Sequence, residues 1–331
     1  MFFSLEISLQ ESTNDAISYP CSANVSKTSE FVEKLPDLFF FAPGIFHTKC
    51  ITPLDEKIIS HEALKNKGFM ITSIDEEAGL DMDGYDEFSK TRYSNQTIGQ
   101  SSAVFVWGED DMEGLKKAYP DHSSKIYKTG SPRADLWKSS FSNYWKAPKK
   151  IPNKPFLLVS SNMGLANYIK PFHEFIKFNK SAGYYKRESK LFKNHFGWAA
   201  EDFHKTYHFI EAIEHLSKNN TDFDIVLRPH PIESLECWKV YLEGLSNVHV
   251  IQEGSISNWI NKAFALMHSG CTSATEATVS GKPVITYVPF QMEYTMTFTN
   301  QLGSKVETLK DLSKKVNDIY YSSKSEDQIE T

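Results

Sequence analysis

Cysteine is scarce in this chain, and its spacing matches neither a metal site nor a disulfide framework. Four cysteines occur among 331 residues, at Cys21, Cys50, Cys237 and Cys271. No two of them form a C-x-x-C motif, so the sequence indicates neither a zinc site nor a set of structural disulfides. A reducing, cytoplasmic environment fits this composition.

Long apolar runs, a positive charge excess and a dinucleotide fingerprint are also missing. No apolar run approaches the ~20 residues that span a bilayer, and the N-terminus lacks the basic start and cleavage site of a signal peptide. We expect a soluble protein that touches a membrane only through its surface. The formal net charge of -6 argues against nucleic acid as the main partner. Without Gly-x-Gly-x-x-Gly, an NAD-type dehydrogenase is disfavoured.

The chain does contain two sets of alternating apolar strands and helical segments. With 40% hydrophobic residues it can bury a sizeable core. The stretch 147–155 concentrates Pro and Lys, which is a linker composition. We therefore predict an α/β protein with one unit over residues 1–150, another over 151–331, a cleft between them and a polar tail. In the first unit the pattern predicts strands Met1–Leu9, Leu38–Ala42, Phe69–Ile74, Ala103–Trp107 and Lys125–Thr129, and helices Asp55–Lys67 and Asp110–Ala118.

The second unit has the pattern of a parallel sheet covered on both faces. Its apolar runs are short and continuous rather than alternating, which is typical of such buried strands. Each β-α-β step places the next strand parallel to the last. The predicted elements are strands Phe156–Ser160, Phe223–Leu227, Phe264–Met267 and Val284–Val288, and helices at about Ala200–Lys218 and at Thr272–Ser280.

The motif Arg228-Pro-His-Pro follows the second of these strands. Open α/β sheets bind ligands at the carboxyl ends of their strands, so the loop is placed for binding. Arg228 offers a fixed cationic fork, and His230 can protonate or hydrogen-bond a leaving phosphate. Pro231 stiffens the loop. The alternative is that a histidine between two prolines is structural.

A second loop, Ser269 to Ser273, joins the third strand to the predicted helix at 272–280. Gly270 lets the chain turn, and Ser269, Thr272 and Ser273 add small hydroxyl donors beside the unpaired N–H groups of the helix start. An anion is the natural occupant. Glu276 lies about one turn inside the helix, where its carboxylate can reach two sugar hydroxyls. The alternative is that these hydroxyls only cap the helix.

An acidic cluster, Asp75, Glu76 and Glu77, follows a predicted strand of the first unit and precedes Gly79. Adjacent carboxylates repel one another, which raises a pKa toward the range useful for acid or base catalysis. A solvated acidic surface and a metal-binding loop are the alternatives. The turn at 130–135 either lines the cleft or only leads into a capped helix.

Taken in order, these motifs resemble the surface carbohydrate biosynthesis proteins of bacteria. Those proteins are similar to GT-B glycosyltransferases that use CMP-activated 2-ulosonic acids, the Kdo transferases and bacterial sialyltransferases. The similarity spans about residues 2–306, and its motifs are specific only jointly. It implies a GT-B fold, two Rossmann-like domains facing each other across a cleft, with the acceptor side in 1–150 and the donor side in 151–331. One departure is Ala78, inserted between the acidic residues and Gly79.

The resemblance implies transfer of a sugar, Kdo first and a nonulosonic acid second, from a CMP-sugar to a lipopolysaccharide or capsule glycan. We expect this at the inner face of the inner membrane. CMP leaves with one phosphate, so no metal and no cofactor is expected, and His230 and Arg228 stabilise the departing charge. A carboxylate of the acidic cluster acts as base or nucleophile, and Arg133 or Arg92 binds the donor carboxylate. Further nucleotide donors are Ser160, Ser161, Asn162 and Gly164.

Two other functions remain open at this point. One is a polyol-phosphate transferase that uses CDP-glycerol, which also places a histidine at the phosphate. The other is a catalytically silent nucleotide-sugar-binding subunit of a polysaccharide complex. In each case the partners are a nucleotide-linked donor and, for an enzyme, a glycan or glycolipid acceptor.

Overall fold

The computed structural model describes residues 45–48, 55–75, 85–181, 183–187, 190–295 and 298–327. The predicted strands Met1–Leu9 and Leu38–Ala42 lie outside these ranges, as do Glu76 and Glu77. In the first unit, four parallel strands pair in the order β1-β2-β3-β4. They are Ile45–Thr48 (β1), Met70–Ile74 (β2), Ala103–Val106 (β3) and Ile126–Lys128 (β4).

Short helices connect and cover this first sheet. Val104 and Val106 are buried on one face of β3 and pack with Ile98 and Leu115 of neighbouring helices. The helices are Asp55–Asn66 (α1), Tyr85–Arg92 (α2), Asn95–Gln100 (α3), Glu109–Ala118 (α4) and Pro132–Asp135 (α5), with 3-10 turns at Pro120–Lys125 and Ser139–Tyr144.

The second sheet has six parallel strands in the order β10-β9-β8-β5-β6-β7. Numbered from its first strand, this is the doubly wound order 3-2-1-4-5-6. Every residue of β5, β6, β8 and β9 is buried, as expected for parallel strands covered on both faces. The strands are Phe156–Ser160 (β5), Asp224–Arg228 (β6), Val248–Val250 (β7), Ala265–His268 (β8), Val284–Tyr287 (β9) and Ser304–Val306 (β10).

Helices pack on both faces of the second sheet. One face is covered by a large apolar cluster that includes Phe209, Trp238 and Leu312. The other face packs on Trp259 and Ala274. The helices are Phe172–Ser181 (α6), Tyr184–Arg187 (α7), Leu191–Asn219 (α8), Leu235–Tyr241 (α9), Ile256–Lys262 (α10), Ser273–Val279 (α11) and Leu309–Asp327 (α12), with a 3-10 turn at Thr299–Gln301.

The predicted strands that fall on described residues are all present, each within two residues at either end. The long helix α8 begins at Leu191, however, nine residues before the predicted start at about Ala200. The prediction was wrong there because Phe192 and Phe196 are exposed, so the apolar residues of this segment do not follow one buried stripe. The strands β1, β7 and β10 were not predicted; each has only three or four residues.

The predicted boundary after Lys150 falls between β4 and β5, the strands that end one sheet and begin the other. Arg133 and Ser142 of the first unit contact Glu276 and Asn261 of the second. The assignment of an acceptor side and a donor side stays a prediction. Among the described residues, none of the helices combines the length and the apolarity needed to cross a bilayer.

Candidate functional site

The second sheet changes winding direction between β5 and β8. From β5 the chain builds β6 and β7 on one side, and then returns to place β8 on the other. A crevice opens outside the carboxyl ends of the strands at such a point and is the usual ligand site of doubly wound sheets. The loops 161–164, 229–233 and 269–272 all leave this edge, after β5, β6 and β8.

Direct hydrogen bonds join the three loops. The Ser161 N–H donates to the Arg228 carbonyl oxygen at 3.2 Å, and the Asn162 side-chain amide donates to the Gly270 carbonyl oxygen at 2.8 Å. The loop after β5 therefore lies between the other two and contacts both. The sequence-predicted segments that carry His230 and Thr272 are brought to one edge of one sheet.

A buried carboxylate, Glu233, organises two of these loops. It accepts hydrogen bonds from the Ser161 hydroxyl, from the Met163 and His230 N–H groups, and from the Trp238 indole. Burial raises the pKa of Glu233 to about 7, and the four donors limit the rise. Ser161 was predicted as a nucleotide donor, but its hydroxyl is committed to Glu233 at 3.0 and 2.9 Å.

The loop after β5 is also held from α8. The Lys205 ammonium donates to the Asn162 carbonyl oxygen at 3.2 Å and pairs with Asp202 at 2.7 Å. The other oxygen of Asp202 accepts from the Leu165 N–H. Gly164 lies where a Cβ would come within 2.3 Å of Ile232, so the absence of a side chain lets this loop approach the next one.

His230 is held as a neutral ring with a defined tautomer. Its Nδ1 accepts from the Ile232 N–H at 3.4 Å, which places the ring proton on Nε2. Desolvation lowers the pKa of His230 to about 4. Among the described residues no acceptor lies at Nε2, so the group suits hydrogen bonding of a ligand better than proton donation from an imidazolium. Pro231, beside it, is exposed.

Arg228 is not a free cation at this edge. Its guanidinium donates to the Glu253 and Gly254 carbonyl oxygens at 2.5 and 2.8 Å, and it lies over the Trp259 ring at 5.6 Å. Desolvation lowers its pKa to about 10. We expected Arg228 to hold a phosphate; the contacts instead favour a role in holding the turn at residues 253 and 254.

Several predicted donors of the serine-rich loop are already engaged. The Ser160 and Ser273 hydroxyls both contact the Cys271 sulfur, at 3.2 and 3.1 Å. Ser269 is fully buried, and the Gly270 N–H donates to the Asn300 side chain at 2.7 Å. These groups therefore shape the loop rather than present free donors to a ligand.

Thr272 keeps an available hydroxyl at the start of α11. The residue is exposed, and its side chain makes no capping hydrogen bond, so the capping alternative does not apply to it. Among the described residues, no acceptor is found for the N–H groups of Thr272 and Ser273. One hydroxyl and two main-chain donors are thus left for a ligand.

A buried histidine that was not predicted, His268, supports the same loop from below. Its Nδ1 accepts from the Cys271 N–H at 3.3 Å, and its Nε2 donates to Thr286 at 3.0 Å. The Thr286 hydroxyl in turn donates to the Leu302 carbonyl oxygen. Complete burial lowers the pKa of His268 to about 3, so the ring is neutral.

Glu276 is buried and faces the first unit. One carboxylate oxygen accepts from the Ser257 hydroxyl at 2.6 Å, and the other lies 3.4 Å from the Arg133 guanidinium. Desolvation raises the pKa of Glu276. We expected this carboxylate to meet sugar hydroxyls; the structure shows it held by Ser257 and Arg133, with Arg133 the contact from the opposite side of the cleft.

Solved structures provide a comparison for this architecture. No protein-family model and no curated protein sequence matches the chain. The UDP-N-acetylglucosamine 2-epimerase of Methanocaldococcus jannaschii aligns over 88% of this chain and 74% of its own, with 15% identity and a TM-score of 0.51. A Listeria monocytogenes structure assigned as the same enzyme aligns over 92% and 72%, with 13% identity and a TM-score of 0.51. S. aureus MnaA, in a co-structure with UDP, aligns over 90% and 71%, with 14% identity and a TM-score of 0.50.

The chain has a GT-B fold. Identities of this size show the fold alone. The predicted fold class, two Rossmann-like domains facing each other across a cleft, is confirmed.

In the GT-B arrangement the acidic cluster belongs to the N-terminal side, and only its first member is described. Asp75 is 3% exposed and forms a two-point ion pair with Arg92, at 2.5 and 2.8 Å. Arg92 is therefore engaged, which argues against its predicted role at the donor carboxylate. The Asp75 carbonyl oxygen accepts from the Trp107 indole, and burial raises the pKa of nearby Asp111 to about 6.

Several residues that position the GT-B site were missed from the sequence. Glu233 lies two residues after the Arg-Pro-His-Pro motif, His268 directly precedes the loop at 269–273, and Lys205 is far from either motif. The motifs gave a signal near Glu233 and His268, but the sequence does not show the hydrogen-bond partners that give these residues their role. Within the part of the chain that the structure describes, no group of three metal-ligating side chains occurs.

Proposed function

We propose that the protein is a glycosyltransferase that takes its sugar from a CMP-linked 2-ulosonic acid, with Kdo the first choice, and extends a lipopolysaccharide or capsule glycan. The proposal rests on one set of hydrogen-bond donors at a single sheet edge. The set consists of the His230 Nε2–H, the Thr272 hydroxyl and two unpaired N–H groups, and the loop that carries Asn162 connects the two loops on which they lie. This donor set, at a switch point, suits one phosphate.

The site supports departure of CMP by hydrogen bonding. As the bond between the anomeric carbon and the phosphate oxygen breaks, its electron pair moves onto that oxygen. The neutral His230 ring and the donors at Thr272 stabilise the charge that develops there. Glu233 keeps the His230 loop fixed through its main-chain N–H. A charged phosphate would also raise the pKa of His230 from its low value.

The acceptor side of the reaction is proposed for the acidic cluster. A carboxylate of Asp75, Glu76 or Glu77 either takes the proton of the acceptor hydroxyl as it attacks the anomeric carbon, or attacks that carbon itself. The first route inverts the configuration and the second retains it. Asp75 is already paired with Arg92, which gives it a positioning role. We therefore assign the reacting carboxylate to Glu76 or Glu77.

Calorimetric titration with CMP tests the donor site. We expect binding by the unchanged protein and binding about tenfold or more weaker for His230→Ala, because one hydrogen bond to a charged group is lost. His249→Ala is the matched control, since His249 pairs with Asp224 near the amino ends of the strands. Absence of CMP binding, or equal loss in both variants, would contradict the proposal.

Turnover of a CMP-sugar tests the acidic cluster. Glu76→Gln or Glu77→Gln is expected to abolish release of CMP in the presence of acceptor while CMP affinity changes little, because one of the two substitutions removes the reacting group and both leave the donor loops intact. Full activity of both Glu76→Gln and Glu77→Gln would refute this assignment. Tight nucleotide binding without any release of CMP would indicate the silent subunit instead.

A second candidate is epimerisation of a UDP-linked sugar. Two of the solved structures with the same fold are assigned as UDP-N-acetylglucosamine 2-epimerases, and a third, S. aureus MnaA, was determined with UDP. Titration with UDP beside CMP, and with CDP-glycerol, separates the candidates. Preference for UDP together with conversion of UDP-N-acetylglucosamine in the absence of acceptor would replace the transferase proposal.

A further inference from the structure

Aromatic side chains are exposed at the start of α8 rather than buried. Phe192 is 46% exposed and Phe196 is 50% exposed. Phe203 and Tyr207, further along the helix, are exposed as well. The spacing of these four places them on one side of the helix. Aromatic residues of a folded domain are normally buried, so an exposed row of them is typical of a surface that binds a partner or a membrane.

Ring contacts hold the exposed aromatics in place. Phe192 lies 5.3 Å from Phe196 and 5.2 Å from Tyr185 of α7, measured between ring centroids. Phe172 of α6 packs edge-on against Phe196 at 5.2 Å. Because each ring is supported by a neighbouring ring, the three helices present a fixed apolar patch.

Exposed lysines lie close to these aromatic residues in sequence. Lys186, Lys190 and Lys193 are each within three residues of Tyr185 or Phe192 in sequence, and all three are exposed. From Lys170 to Lys193 the sequence has seven lysine and arginine residues against two glutamates, in a chain whose net charge is -6. We call Tyr185, Phe192, Phe196, Lys186, Lys190 and Lys193 the basic-aromatic face.

We propose that the basic-aromatic face docks on the surface of an anionic lipid bilayer. Aromatic rings partition into the headgroup boundary, and flanking lysines are attracted by anionic lipids at about 1 kcal/mol each. A second copy of the same face would bring like charges together, which disfavours self-association through it.

The position of the face fits a lipid-linked acceptor. The helix that carries Phe196 also carries Asp202 and Lys205, which hold the loop after β5 at the candidate site. A bilayer against the start of α8 would therefore lie beside the cleft. The face would bring the proposed transferase to a membrane-bound acceptor, so its role in catalysis rests on the proposed function, whereas lipid docking itself does not depend on which donor binds.

Cosedimentation with vesicles tests the proposal. The full chain is expected to bind phosphatidylcholine vesicles that contain phosphatidylglycerol, and to bind vesicles of phosphatidylcholine alone much more weakly. Lys190→Glu combined with Lys193→Glu is expected to weaken binding more than about twentyfold, at about fivefold per lysine lost. Added salt is expected to weaken it too, because the attraction is screened.

Matched variants elsewhere on the surface serve as controls. Lys310→Glu with Lys314→Glu makes the same charge change at exposed positions of α12 and is expected to leave binding nearly unchanged. Phe192→Ser is expected to reduce binding, whereas Phe141→Ser, at another exposed phenylalanine, is not.

Two outcomes would overturn the proposal. One is equal binding to both kinds of vesicle. The other is a dimer in light scattering that Phe192→Ser converts to monomer without any lipid binding, which would show that the face pairs two copies. Titration with CMP on the same lysine variants keeps the two proposals apart. Lost vesicle binding with intact CMP binding concerns only the face, and lost CMP binding in the unchanged protein concerns only the donor site.

Discussion

Glu233 connects more of the candidate site than any residue of the predicted motifs does. Its carboxylate receives donors from the loop after β5, from His230 and from the Trp238 indole. Without it, two buried main-chain N–H groups and one indole N–H would lack their acceptor. The geometry of the His230 loop therefore depends on a single buried acid three residues away.

Replacing Glu233 by glutamine tests this dependence. Either orientation of the new amide turns an NH₂ group toward a buried donor, so at least one N–H loses its acceptor. We expect Glu233→Gln to lower the free energy of unfolding by about 2 kcal/mol or more, measured by urea denaturation. Glu236→Gln, at an exposed carboxylate paired with Lys239, is the control and is expected to change little. Equal small effects would contradict the role of Glu233.

The buried ring of His268 is expected to make the free energy of unfolding depend on pH. Its folded pKa, about 3, lies below the usual 6.5, so its contribution to stability is complete above 6.5 and is lost as the pH falls toward 3. His268→Gln removes the titration. The stability advantage of the unchanged protein over this variant should shrink by about 2 kcal/mol between about pH 8 and about pH 5. A difference that stays constant with pH would show that the ring does not titrate in this way.

Single residues were predictable from the sequence only where a motif marked them. His230 and Thr272 stand in loops that follow apolar runs, and the rule for carboxyl ends of strands located them. Arg228 stands in the same motif, yet its guanidinium turns to the Glu253 and Gly254 carbonyl oxygens. The sequence places a side chain at a strand end, but the direction in which it points depends on partners more than twenty residues away.

At the scale of elements, the central strands were the most predictable. β5, β6, β8 and β9 are buried on both faces, so each is a continuous apolar run that the sequence displays directly. β7 and β10 lie at the edges of the sheet and are three residues long, too short to leave a pattern.

The edge strand β10 depends on the glycine before it. Gly303 has a φ of 80°, and a Cβ there would lie 2.3 Å from the Val284 carbonyl oxygen. Gly303→Ala combines left-handed backbone strain with a clash against main chain of β9. We expect a loss of about 3 kcal/mol or more in the free energy of unfolding.

Comparison of Gly303→Ala with Gly244→Ala separates the effect of the clash from that of the backbone strain. Gly244 also has a positive φ, of 84°, but its Cβ would meet no atom within 4 Å. We expect this variant to lose only about 1–2 kcal/mol. Similar losses in urea denaturation for the two variants would show that β9 moves aside easily and that contact with Val284 is unimportant.

At the scale of the whole molecule, the described contacts across the cleft are few. Arg133 reaches Glu276 at 3.4 Å, and the Asn261 amide donates to the Ser142 carbonyl oxygen at 3.0 Å. The alternation of strands and helices predicted two units, since each needs only its own apolar pattern. It did not predict which side chains meet between them, because that depends on how the units are oriented.

Removing the Arg133 contact is expected to change the relative position of the units. Arg133→Gln leaves Glu276 without its cation from the opposite side, so the cleft should open. We expect a larger radius of gyration in small-angle scattering than for the unchanged protein. Lys138→Gln is the control, since Lys138 pairs with Asp135 within its own unit. Identical scattering of both variants would show that this ion pair does not hold the cleft.

The continuous helix α8 has a geometric consequence. Phe196 and Lys205 are nine positions apart on it, about 14 Å along its axis. In the proposed docking, one end of this helix would lie on the lipid surface, while Lys205 holds the loop after β5 from the same helix. The helix would then set the distance between the bilayer and the candidate site.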